Sequence, residues 1–104
     1  MSVLLEFSMF PTDKGESVSP YVSQVIAMIR DSGIPYRLTP MGTVIETSSL
    51  DQALGLVAQA YGILEQACCN RVYSSLKLDI RKGKVGRLKG KVDSIRQKIG
   101  DVAD

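Results

Sequence analysis

Between residues 3 and 10 apolar side chains fall at every second position, Val3, Leu5, Phe7 and Met9, while the alternate set Leu4, Glu6, Ser8 and Phe10 mixes apolar with polar. A period of two predicts a strand, and the mixed second set predicts one covered in part on both faces. Pro11 to Gly15 breaks the pattern, and Ser19-Pro20 offers an N-cap followed by proline at the first helical position. The helix expected there carries the stripe Val22, Val25, Ile26 and Ile29, and Gly33 with Pro35 beyond it ends it. Two short extended runs, 36–39 and 43–47, flank Pro40-Met41-Gly42 and predict a hairpin. Ser49-Leu50-Asp51-Gln52 then has the form of a capping box, in which the serine bonds forward and the glutamine reaches back. A second helix starts there, with Leu50, Leu54, Val57, Tyr61, Leu64 and Cys68 as its apolar face. Residues 72–81 alternate again, Val72, Ser74, Leu76, Leu78 and Ile80 against Tyr73, Ser75, Lys77, Asp79 and Arg81. A third stripe, Val85, Leu88, Val92, Ile95 and Ile99, predicts a C-terminal helix.

The order is therefore β-α-β-β-α-β-α. Two β-α-β halves whose middle strands form a hairpin predict an α/β (α+β) domain of the ferredoxin-like, split βαβ kind. Its four-stranded antiparallel sheet carries both main helices on one face. That leaves the other face open, with Glu6, Ser8, Lys77, Asp79 and Arg81 beside Leu4 and Phe10. A face that mixes aliphatic and charged residues is more often an interface than bare surface, so self-association is expected. The third helix is expected either to cross this face within one chain or to pack against another subunit.

A chain of 104 residues suffices for one core and is short for two, so a single domain over 1–104 is expected. With 44% hydrophobic and 23% charged residues the composition is that of a globular protein, and the short apolar runs argue against membrane insertion. The start, Met1 to Glu6, has no basic leader and reads as a strand rather than a signal peptide. Cys68 and Cys69 are neighbours, between which a disulfide would be strained, and they are expected to be small apolar residues at a helix end. Together these features point to a cytoplasmic setting.

Enzyme signals are sparse. The chain has no histidine for general base work near neutral pH, no nucleophile elbow, no phosphate-binding glycine loop and no dinucleotide fingerprint, so no catalytic residue, metal or cofactor is assigned. The run 81–91 holds six basic residues and no acid. A phosphate grip is one reading and a solvated turn and helix edge the other; the net charge of +2 favours the second and gives no reason to expect nucleic acid. RNA-recognition modules share this element order, yet the strand 42–47 lacks the aromatics on which such modules stack bases. Glu46 ends an otherwise uncharged strand and needs a donor. Lys77 or Arg37 across the sheet is the structural option, and the N–H groups of an amidine-like heterocycle are the functional one.

The stretch Thr39-Pro40-Met41-Gly42-Thr43-Val44-Ile45-Glu46 resembles the signature of the thiamine-binding YkoF-like family of small ferredoxin-like proteins. Glu6 to Pro11 with Ser17-Val18-Ser19, and Lys77 to Arg81 followed by Gly90-Lys91-Val92, support the likeness along nearly the whole chain. The resemblance implies a non-enzymatic cytoplasmic protein, a homodimer or homotetramer, that binds thiamine or its hydroxymethylpyrimidine moiety against the sheet. It implies Glu46 and Thr43 as ligand residues, with Ser8, Phe7, Tyr36 and Lys77 beside them. Glu46 would accept from the aminopyrimidine, Thr43 and Ser8 would offer hydroxyls, and Phe7 or Tyr36 would contact the ring. A regular strand, however, sends Thr43 and Glu46 to opposite faces. Thr47 also stands where the family usually has glycine. The alternative is a structural or regulatory homo-oligomeric module with no small-molecule ligand.

Overall fold

The computed structural model describes residues 1–104. Its elements follow in the order β1 (Ser2–Pro11), α1 (Ser19–Asp31), β2 (Tyr36–Thr39), β3 (Gly42–Thr47), α2 (Leu50–Gln66), β4 (Val72–Arg81) and α3 (Arg87–Ile99). The strands form one antiparallel sheet in the order β2-β3-β1-β4, the split βαβ arrangement. β1 sits inside and pairs with β4 over its whole length, but with β3 only from Val3 to Phe7. Beyond Phe7 the β3-facing edge of β1 is therefore open.

Alternation sorts β1 by face. Val3, Leu5, Phe7 and Met9 point to α1 and α2 and join Val25, Ile29, Ile45, Ala53, Leu56, Ala60, Leu64 and Cys69 in one buried cluster. Fully burying a side chain such as Leu5 or Ile29 contributes about 1.5–3 kcal/mol over leaving it in water. On α2 the buried positions are Ala53, Leu56, Ala60 and Leu64, whereas Leu54 and Tyr61 of the expected stripe are exposed. The helix has two apolar faces, and packing chose the one whose alanines let it lie close to the sheet.

Several ends differ by a residue from expectation. Val18, not Ser19, precedes α1, and it makes no side-chain cap, so Pro20 falls in the second helical position. Ser49 Oγ accepts from the Gln52 amide at 3.1 Å as expected, but Gln52 Oε1 reaches back to the amide of Ser48. At the end of α2 Cys68 takes a positive φ of 62° and lets the Cys69 amide reach the Leu64 carbonyl at 3.1 Å, which folds Cys69 into the core. No helix is long and apolar enough to cross a membrane.

The third helix docks on the opposite face, touching β3 and β1. Leu88 and Val92 are half-buried there, while Ile95 and Ile99 stay exposed. Leu4, expected on the open face, is covered, whereas Glu6, Ser75 and Lys77 are not. The outer strand β4 also leaves Leu76, Leu78 and Ile80 exposed on the helix side of the sheet.

Candidate functional site

A cavity of about 750 Å³ opens between α1, the β2–β3 hairpin and the unpaired end of β1. Its existence follows from the pairing. Because β3 stops matching β1 at Phe7, the stretch Ser8 to Phe10 presents a strand edge, and both faces of that stretch reach the same space. Thus Phe7, which points to the helices, and Ser8, which points away from them, line one cavity despite their opposite parity. Thr43 and Tyr36 complete the expected group, and Val22, Ile26 and Met41 supply apolar wall.

The hairpin is locked in place by Thr39. Its hydroxyl accepts from the Met41 and Gly42 amides at 3.2 and 3.1 Å and donates to the Gly42 carbonyl at 2.8 Å. Gly42 lies so close to β1 that a Cβ there would meet the Phe7 carbonyl oxygen at 3.1 Å, which explains a glycine at this corner. By contrast, the hydroxyls of Ser8, Tyr36 and Thr43 take part in none of the side-chain hydrogen bonds of the hairpin. The one charged side chain on the cavity wall is Arg30, which pairs with Asp31 at 3.0 Å. This ion pair holds the Arg30 guanidinium above its ordinary range.

Glu46 lies elsewhere. β3 runs without a bulge, Thr43 opposite Phe7 and Glu46 opposite Leu4, so the two side chains leave on opposite faces as strand parity requires. Neither Lys77 nor Arg37 is its partner, contrary to the structural expectation. Glu46 Oε2 accepts from the Ser2 hydroxyl at 2.6 Å and from the Arg87 amide at 3.0 Å, and Oε1 accepts from the Leu88 amide at 3.0 Å. These are the first amides of α3, whose own N-cap residue, Gly86, has no side chain to offer. A strand carboxylate thus caps a helix about forty residues away, where amides and helix dipole both favour negative charge. Burial pushes the Glu46 carboxyl upward, but the Ser2 hydroxyl and the amides of Leu88, Arg87 and Gly86 outweigh it and hold it below its ordinary 4.5.

Around this cap Arg87 is almost completely buried. Its guanidinium donates to the Ser2 carbonyl at 2.8 Å and the Ser2 hydroxyl at 3.0 Å, and pairs with Asp79 at 3.0 Å. Sequence reasoning missed this network because nothing in the run 81–91 separates the one inward arginine from its exposed neighbours. Lys77 lies on the same face, its Nζ 3.2 Å from Glu6 and its side chain 79% exposed. Of the six expected ligand residues, four therefore meet at the cavity, and Glu46 and Lys77 do not. No cluster of three His, Cys, Asp or Glu residues could hold a metal ion.

A family model described as thiamine-binding protein matches residues 5–96. A UPF0045 protein of Methanothermobacter thermautotrophicus is 34% identical over 83 residues, 80% of this chain and 84% of the relative. The crystal structure of a Methanocaldococcus jannaschii protein, 36% identical, superposes with a TM-score of 0.77 over 90% of this chain and 95% of its own. A Thermotoga maritima structure, described as a candidate thiamine biosynthesis/salvage protein, shares the fold at a TM-score of 0.78 and 21% identity, covering 92% of this chain and all of its own.

Proposed function

The chain belongs to the thiamine-binding protein family, and from that premise we propose that it holds thiamine or a related hydroxymethylpyrimidine compound, without catalysis, in the cavity between α1 and the hairpin. The observation that carries this reading is the meeting of Thr43, Ser8, Tyr36 and Phe7 on one wall. Residues whose hydroxyls the hairpin does not use line a mainly apolar space wide enough for a ring compound. Tyr36 and Phe7 give the ring flat apolar contact, and Thr43 and Ser8 bond its nitrogens. The open edge of β1 adds backbone groups that a planar, polar-edged ligand can meet.

Charge sharpens the choice between the two ligands. No carboxylate lines the cavity, and its one charged side chain is a cation. An uncharged aminopyrimidine suits such a wall better than the thiazolium of thiamine. Calorimetric titration of the purified protein with each compound tests this. Saturable binding is expected, tighter for the hydroxymethylpyrimidine, weakened about tenfold by Thr43→Val and by Tyr36→Ala, and retained by Glu46→Gln. No heat and no thermal shift with either compound at millimolar concentration would sink the proposal and favour an interaction module without a ligand.

Self-association as a homodimer or homotetramer is part of this reading, in a cytoplasmic setting. Its support lies on β4. The strand has ten residues and one partner, so its outer edge is unpaired, and Leu76, Leu78 and Ile80 stay 39–45% exposed along it. Light scattering on the eluting protein should give two or four times the chain mass of 11.3 kDa. A monomer mass at micromolar concentration would remove this part.

A further inference from the structure

On the opposite side of the sheet from the cavity, a cleft of about 440 Å³ lies between the end of β4, the turn that follows it and the first turns of α3. It shares no residue with the cavity. Arg87, Gly90, Lys91, Ser94 and Ile95 line it from α3, spaced by three and four so that they form one face of the helix. Arg81 and Lys84 line it from the strand end and the turn.

The charge balance of this cleft is unequal. Four cations face it, and the carboxylate that meets them is Asp79, which binds Lys91 at 2.8 Å and Arg87 at 3.0 Å. Those two cations hold the Asp79 carboxyl below its ordinary range. Glu46 stands behind the Arg87 amide with its oxygens committed to the helix cap. Arg81 and Lys84 enter none of the ion pairs of this region, so their charges are uncompensated. Arg87 differs from a surface arginine because its guanidinium is fixed by two carbonyls, a hydroxyl and a carboxylate. Gly90, in the middle of the lining face, contributes space: a Cβ there would meet nothing within 4 Å.

We propose that this cleft binds the phosphate or diphosphate group of a small ligand, with Arg81, Lys84 and Lys91 as its cations and the Ser94 hydroxyl as a further donor. A fixed arginine in the floor, flanked by exposed cations and an open glycine, matches the size and charge of a phosphoryl group. A nucleic-acid strand fits less well, because the cations converge on a cleft instead of extending as a stripe and the chain's net charge is only +2. This proposal stands apart from the ligand assigned to the cavity.

The test uses inorganic pyrophosphate, titrated calorimetrically into the full chain at low salt, with a short single-stranded oligonucleotide as the comparison. Saturable one-site binding of pyrophosphate is expected. Gly90→Glu sets a carboxylate in the open space and should weaken binding at least about tenfold. Gly90→Ala, which adds bulk without charge, should leave binding in place, and thermal melting of both variants controls for folding. The double change Arg81→Ala with Lys84→Ala should reproduce the loss. Absence of saturable heat at millimolar pyrophosphate, or equal affinity in the two Gly90 variants, would overturn the proposal. So would an oligonucleotide that binds more tightly than pyrophosphate and ignores the Gly90 substitutions, since it would mark a diffuse polyanion surface.

Discussion

The two faces of this sheet use polar groups in opposite ways. On the helix side, Thr43 and Tyr36 border the cavity, which Ser8 reaches from the open edge of β1, and the hydroxyls of all three are left out of the hairpin's bonding. On the α3 side, Ser2, Glu46, Asp79 and Arg87 consume one another's hydrogen bonds and fasten a helix. The two environments are separated by one strand: β3 sends Thr43 to the first and Glu46 to the second. A polar residue whose donors and acceptors are already matched within the chain stabilises it, and one left unmatched beside a cavity is available to a ligand. Adjacency in a sequence motif does not distinguish the two.

The largest expected effect comes from the layer both regions share. Ile45 is fully buried between Thr43 and Glu46 in sequence, and Ile45→Ala should cost about 2–5 kcal/mol in chemical denaturation. Loss of both cavity and α3 docking should follow as the variant approaches its unfolding midpoint.

Glu46→Gln should have an intermediate effect, confined to the α3 side. Removing the charge while keeping one acceptor should destabilise by about 1.5–3 kcal/mol, the range for hydrogen bonds to an ionised partner. Amide exchange should rise first at Arg87 and Leu88. If the same change instead abolished ring binding with α3 still protected, the contrast between the faces would fail.

Acid supplies a smaller, graded version of that change. The Glu46 carboxyl sits below its ordinary value when folded, so its stabilisation is complete above about pH 4.5, the unfolded value, and is lost as pH falls through the folded one. Stability measured against pH should drop below that point more steeply in the parent than in Glu46→Gln. Parallel curves would show that the cap carries no pH dependence.

Much of the fold was legible in the chain because it is written in local terms. Alternation marked β1 and β4, the Ser49 cap began α2, and Gly33 closed α1. Periodicity misplaced the inner face of α2, since Leu54 and Tyr61 are larger than Ala53 and Ala60, and size alone does not tell which face a sheet receives. Four of the cavity-lining residues, Phe7, Ser8, Tyr36 and Thr43, were equally visible. Parity already placed Thr43 and Glu46 on different faces, a consequence of the strand's period and nothing else.

What the sequence determined by itself, then, was the order of elements, the pairing of the hairpin and the side from which each β3 residue leaves, all set by short-range geometry. Only the tertiary structure decided where Glu46 found its donors, which arginine of 81–91 turned inward, and that β1 outruns β3 to leave a cavity. Those outcomes join residues tens of positions apart, and whether a buried carboxylate meets an amide or a ligand depends on which partner the folded chain brings within reach.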